Sequence, residues 1–289
     1  MHELTIYYRG SLRGCNYACR YCPFAGEQGD DRMRKQDATE LQRFVTWCET
    51  CEVEQLTVFF TPRGEALIHP WYRDAIVQLS RLPIIVKIAA QTNLSFDVAS
   101  LTEAKASRVG LWCTYHPSQV SADDFLAQCE QLDAIGIGYS VGMVASSDSY
   151  DAAVELRRRL PDHVYLWLNA DKETPERYDE SSIARWSEID PHFRLNLPCY
   201  PSAGQPCRTG RTVLAVEGDG TARRCWFVDQ PLGNLYTDRL DQLTTTAPCP
   251  RPTCDCHIGF VNLESLNMPS IFGPGLPERR IPGFQAKPM

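Results

Sequence analysis

Short apolar runs alternate with amphipathic stretches along the first two thirds of the chain. Leu4–Tyr8, rich in β-branched and aromatic residues, predicts a first strand. Asp37-Ala-Thr-Glu40 has the form of a capping box. Leu41, Phe44, Val45 and Cys48 then recur at helical spacing, so a helix is expected to begin near Asp37. Gln55–Thr61 predicts a second strand, and His69–Leu82 a helix with Pro70 in its first turn. Ile84–Ala90 is almost entirely apolar, as a parallel strand covered on both faces should be. The pattern continues with a helix around Asp97–Ala106, a strand at Val109–Thr114 and a helix from Ser121 to about Ile135. It ends with a strand at Gly138–Val144, a helix at Tyr150–Leu160 with Arg157–Arg159 in solvent, a strand at Val164–Leu168 and a helix at Glu180–Ile189.

Six strand–helix alternations imply an α/β fold with parallel strands joined by right-handed crossovers. In such folds chemistry gathers at the C-terminal ends of the strands. Here those ends carry Cys15–Cys22, Gly64-Glu65, Thr92-Asn93, His116, Ala145-Ser146 and Asn169. After Pro191 the helical period stops. Thr212–Val216 and Thr221–Cys225 flank Glu-Gly-Asp-Gly, a hairpin signal, and Leu232–Leu235 reads as a turn. The expected division is a strand–helix domain over 1–195, a Cys-rich segment over 196–262 and a Pro-rich tail over 263–289. That tail either drapes over the first domain or hangs loose.

Composition narrows the class. A hydrophobic share of 43% is that of an ordinary globular protein. A net charge of −7 argues against a broad nucleic-acid-binding face. The first residues lack the basic-then-apolar order of a secretory signal, and Ile84–Ala90 is too short for a membrane span and carries Lys87, so a cytoplasmic protein is expected. Thirteen cysteines in that compartment read as metal ligands rather than disulfides. Three lie in the first loop and six between Cys199 and Cys256. The Cys48-x2-Cys51 pair lies on a helix with no strand-to-helix turn before it, and reads as core packing rather than a redox pair.

The first loop, Cys15-x3-Cys19-x2-Cys22, can wrap three thiolates round one corner of an iron–sulfur cube. Four thiolates are the norm for such a cube, so three leave one iron open to a substrate or cofactor. A structural zinc loop is the other use of such thiols. With an aromatic, Tyr21, just before the last Cys, the loop resembles the signature of the radical S-adenosylmethionine (SAM) enzymes. That resemblance implies a partial (β/α)6 barrel, open on one side. It also implies a 4Fe-4S cluster on Cys15, Cys19 and Cys22 whose open iron chelates SAM, and reductive cleavage of SAM to a 5′-deoxyadenosyl radical that takes hydrogen from a substrate.

Arg63-Gly64-Glu65-Ala66 resembles the family's Gly-Gly-Glu-Pro, which accepts hydrogen bonds from SAM's amino group. Arg63 and Ala66 depart from it, so only Gly64 and Glu65 carry over. Tyr21 and Phe24 are candidates to stack near adenine, Asn93 to bind ribose or carboxylate, and His116 to face the substrate. Cys207, Gly220 and Cys225 are spaced like the start of the SPASM and twitch extensions, which hold auxiliary clusters. Cys249, Cys254 and Cys256 are offered to complete one, with Cys199 a further candidate; a zinc ribbon would use the same four-thiolate chemistry. The implied partners are a peptide or small-molecule substrate, with a polyol among the alternatives, and a reductant such as flavodoxin or ferredoxin. No membrane partner is expected, and no fused leader-peptide-binding domain ahead of the first strand. A non-catalytic electron carrier or zinc module would have no use for an open iron beside Gly64-Glu65.

Overall fold

A computed structural model of the protein describes residues 2–22, 24, 29–171 and 178–285. In order, the elements are β1 (Glu3–Arg9), β2 (Arg13–Gly14), α1 (Asp31–Thr50), β3 (Gln55–Phe60), β4 (Arg63–Gly64), α2 (Pro70–Arg81), β5 (Ile85–Thr92), β6 (Val109–Thr114), α3 (Ala122–Ala134), β7 (Gly138–Ala145), α4 (Tyr150–Arg159), β8 (Leu166–Ala170) and α5 (Glu180–Ile189). The later part adds β9 (Tyr200–Pro201), β10 (Val213–Glu217), β11 (Thr221–Arg223), β12 (Pro231–Asn234), β13 (Thr253–Cys254), α6 (His257–Phe260) and α7 (Pro269–Phe272). Among the described residues no helix is long and apolar enough to cross a membrane.

The nine-stranded sheet has the order β12-β11-β10-β1-β3-β5-β6-β7-β8. The six barrel strands run parallel in sequence order. The hairpin β10–β11 forms where the turn residues place it, but it does not stand apart. β10 lies parallel to β1, with Thr5 opposite Val213 and Arg9 opposite Glu217, so the extension continues the barrel's own sheet. Leu232-Gly-Asn is not a turn: it lies in β12, which closes that edge antiparallel to β11.

Side chains alternate across the sheet with the two-residue period of strands. Ile6, Tyr8, Val58, Phe60, Ile88, Ala90, Leu111, Val141 and Leu166 face the helices. Tyr7, Phe59, Ala89, Trp112 and Trp167 face inward, and there they meet Phe260, Leu263, Met268 and Phe272 from the end of the chain. The tail therefore drapes, and fills the concave face; residues 286–289 lie outside the described set. Gly142 is required by that packing, since a Cβ there would stand 2.0 Å from the Trp167 ring.

Three expectations along the outer layer change. α1 starts at Asp31, capped by Asp30 accepting from the Met33 N–H at 2.7 Å. Asp37 is inside the helix and buried, accepting from Leu12 N, Trp71 Nε1 and Tyr72 Oη. Between β5 and β6 there is no α-helix but two 3₁₀ turns, Val98–Leu101 and Ala106–Arg108. The buried anchors Val98 and Leu101 are three residues apart, the 3₁₀ period. Arg157 is buried rather than solvated: its guanidinium donates to the carbonyls of Leu160, Pro161 and Val164 and so closes the end of α4.

Candidate functional site

The thiol loop leaves β1 and returns to α1 across the C-terminal ends of the barrel strands. Two short pairings fix its root. Arg13 and Gly14 in β2 pair parallel with Arg63 and Gly64 in β4. The backbones touch there: Gly64 has φ +129°, and a Cβ would stand 1.8 Å from the Gly14 carbonyl oxygen. Glycine is needed at 64 for both reasons. The Glu65 N–H donates to the same Gly14 carbonyl at 3.2 Å.

Cys15, Cys19, Cys22, Phe24, Gly64, Glu65, Asn93 and His116 line one cleft of about 230 Å³. These eight expected site residues thus come together from four chain segments. Asn93 Nδ2 donates to Cys15 Sγ at 3.6 Å and to Asn16 Oδ1 at 3.0 Å. Cys19 Sγ lies 3.3 Å from His116 Nδ1. Tyr21 is not brought to the cleft lining. Its hydroxyl is 2.7 Å from His116 Nδ1, its ring stacks on the imidazole at 6.0 Å, and it is 43% exposed. Tyr17 lines the cleft.

Glu65 faces protein donors. Oε1 accepts from Leu67 N at 3.0 Å and Thr92 Oγ1 at 2.9 Å, and Oε2 accepts from Asn93 N. It therefore ties the end of β3 to the end of β5 and sets Asn93. Burial raises its pKa to about 7 against those hydrogen bonds. Burial also raises the thiols of Cys15 and Cys19 above their ordinary value, and pushes His116 down to about 4. Thr92, Gln91, Tyr17 and Asn16 belong to this site too. Thr92 was visible as a strand-end residue, whereas Asn16 and Tyr17 lie between the cysteines and carry no signal of their own.

The donor set fits an iron–sulfur cluster. Three thiols open on one cleft beside strand-end polar groups, and cationic iron would draw them to thiolate. Among the described residues no three Cys, His, Asp or Glu side chains converge as a single metal ion requires. A cube asks for something else, because each thiolate takes a different iron.

The second thiol group is assembled from distant segments. Cys254 is pushed up to about 12 by burial and then by the fields of Cys225, Cys256, Cys207 and Cys249. Burial raises Cys225 as well, followed by the fields of Cys249 and Cys207. Cys207 is positioned by an antiparallel bridge to Leu263, and Cys254 by β13 pairing with β9. Cys256 lines a different cavity, beside Trp112 and His257. Cys199 is exposed. Trp226 docks this segment on the barrel, donating to Thr61 Oγ1 at 3.0 Å beneath the Arg9 guanidinium.

No family model matches the chain. No curated protein sequence matches it either. Solved structures do. The chain aligns with anSMEcpe with bound AdoMet at a TM-score of 0.55 and 12% identity, over 83% of this chain and 77% of that one. It aligns with Streptococcus suis SuiB bound to S-adenosylmethionine at 0.56 and 15%, over 85% and 66%. A structure of native anSMEcpe with bound AdoMet and Cp18Cys peptide gives 0.54 and 13%, over 83% and 79%. All three hold S-adenosylmethionine, and the chain has their fold: a partial (β/α)6 barrel carrying a small Cys-rich hairpin extension.

Proposed function

We propose that the chain is a radical SAM enzyme that abstracts hydrogen from a peptide or protein side chain. The observation that carries this is the single cleft shared by Cys15, Cys19 and Cys22 with Gly64-Glu65 and Thr92-Asn93. We assign the three thiols to a 4Fe-4S cluster and the strand-end groups to SAM. When bound, that cluster supplies the electron that cleaves SAM to a 5′-deoxyadenosyl radical. Asn93 holds Cys15 and Asn16 in register, Glu65 holds Asn93, and the Gly14–Gly64 contact holds the loop against β4. The peptide reading is supported by likeness of fold to a protein solved with a peptide bound.

We assign an auxiliary cluster to the thiol group of Cys207, Cys225, Cys249, Cys254 and Cys256, four of which act on the Cys254 thiol. The test is anaerobic reconstitution followed by iron analysis and chromatography of 5′-deoxyadenosine under dithionite. About eight irons are expected, four for each 4Fe-4S cluster, and about four after replacing Cys15, Cys19 and Cys22 together by Ala. Cys15→Ala should abolish SAM cleavage. Stoichiometric zinc in place of the second set of irons would remove the auxiliary-cluster assignment. Absence of 5′-deoxyadenosine from the iron-loaded wild type would remove the whole reading.

A further inference from the structure

A second cavity, of about 310 Å³, opens on the inner face and is lined by Gln91, Trp112, Asn169, Asn196, Cys256 and His257, among others. Gln91 lines this cavity and the thiol cleft alike, so the two adjoin at the end of β5. Behind the asparagines lies Arg279, brought there by the tail and only 1% exposed. Its guanidinium donates to Asn169 Oδ1 at 2.8 Å and to Asn196 Oδ1 at 3.0 Å, and lies over the rings of Trp167 and Trp112 at 4.4 and 5.1 Å.

A guanidinium has donors and no acceptors. Both asparagines must therefore turn their oxygens to Arg279, which leaves their amide nitrogens as donors. Neither nitrogen has a protein partner among the described residues, and both side chains line the cavity. His257 Nε2 is buried and unpartnered at the same wall. Among the described residues no carboxylate is in salt-bridge contact with Arg279. Glu278 is taken by Lys87 at 2.6 Å, and Asp190, whose charge acts on Arg279 without such contact, accepts from Tyr165 Oη, Leu168 N and His192 N. A buried cation without a bound anion is costly, and aromatic faces offset only part of that cost. The backbone of Arg279 sits at φ 53°, a left-handed conformation that a non-glycine residue keeps only when its surroundings hold it there.

We propose that this cavity is the substrate site and that it takes a carboxylate, received by the Asn169 and Asn196 amides with the charge of Arg279 behind them. The proposal builds on the radical SAM reading, which fixes the neighbouring cleft as the SAM site. The carboxylate is that of a peptide C-terminus, an acidic peptide side chain or a free small acid, and the probes separate the three.

The test uses the anaerobically reconstituted full chain with SAM present and ligand-observed NMR. The probes are acetyl-Ala-Ala-Ala with a free carboxylate, acetyl-Ala-Glu-Ala-amide, glutarate, and acetyl-Ala-Ala-Ala-amide as the neutral control. At least one carboxylate probe should bind, and the neutral control should be weaker by roughly ten- to a hundred-fold, the range of a charge-assisted hydrogen bond. Asn169→Asp should lose the carboxylate probe by a similar factor without a fall in melting temperature, because the new side chain pairs with Arg279 and repels the ligand. If Asn169→Asp fails to fold, Asn196→Asp is read in the same way. Equal binding of the neutral control, retained affinity in the folded Asp variant, or no binding by any carboxylate probe each overturns the proposal. SAM cleavage by the wild type is a separate measurement. If cleavage occurs and carboxylates do not bind, only this inference fails.

Discussion

The two faces of the sheet are built by different means. The outer face is covered locally, mostly by the helix that follows each strand, and its contacts are mainly apolar: Leu41, Phe44 and Val45 from α1, Ile76 and Leu79 from α2, Phe125 and Leu132 from α3, with the charged Asp37 and Arg157 each bound to neighbours close by in the layer. The inner face is covered by the last part of the chain, from far away in sequence, and charge is buried there with the apolar side chains. Lys87 meets Glu278, and Arg279 lies between two tryptophans and two asparagines. An apolar layer needs only hydrophobic area. A layer with buried ions holds only if each partner is in place, and that suits a face that must stay polar enough to receive ligands.

The sharpest way to break this contrast is to remove one inner partner. Glu278→Gln leaves Lys87 with an uncompensated charge in a site where Glu278 itself is fully buried. Removing one half of a buried pair costs about 3–5 kcal/mol, so the urea midpoint should fall strongly. Lys87→Met added to Glu278→Gln should recover much of the loss. The solvent-exposed pair Arg81–Glu103 on the outer side provides the control, and Glu103→Gln should leave the midpoint unchanged. Equal, small effects at both sites would show that the inner ion pair does not hold the tail.

The same contrast explains what could be read from the sequence. The six strands and four of the five expected crossover helices were legible because their apolar periods are local. The start of α1 was misplaced because Asp37 forms a capping box on paper, while in space Leu12, Trp71 and Tyr72 hold it in the interior. The thiol loop was legible from spacing, yet the contact of Tyr21 with His116, 95 residues away, was not. Nothing in Pro277-Glu278-Arg279-Arg280 has a period, so its burial could not be seen. A segment packed by ion pairs and asparagines against four different strands leaves no pattern along the chain.

A smaller effect, graded by pH, is expected at the strand ends. Glu65 has an ordinary pKa of 4.5 in the unfolded chain and about 7 when folded. Between those values the folded state binds more protons than the unfolded state, so stability falls as pH rises from about 5 to 7. The change is on the order of 3 kcal/mol at most, because one pKa unit is about 1.4 kcal/mol. Glu65→Gln removes the titrating group and should flatten that part of the profile in chemical denaturation of the metal-free protein. A profile that keeps its slope in the variant would mean that the carboxylate is not buried against Thr92 and Asn93.

The smallest effect belongs to the outer face, at the cysteines that look most like a redox pair. Cys48 is fully buried among the apolar side chains of α1, and burial raises its thiol well above the ordinary value, with Cys51 a lesser contributor. Such a thiol carries little thiolate at neutral pH, and Cys48 lies on the apolar stripe of α1 rather than on the cleft where Cys15, Cys19 and Cys22 gather. Cys51 is itself raised by burial and directs its sulfur to the Cys48 carbonyl at 3.6 Å, the last turn of the helix. Cys48→Ala deletes one buried sulfur, so it should cost about 1 kcal/mol, comparable to a buried methylene with its small cavity. Iron content and SAM cleavage should stay at wild-type levels. Cys225→Ala, in the other thiol group, should lower the iron content with no need for a comparable fall in stability. The paired measurement is iron per chain against the urea midpoint for the two variants. If Cys48→Ala also lost iron, the outer layer would contain a metal ligand, and the division between an apolar outer face and a chemically active inner one would not hold.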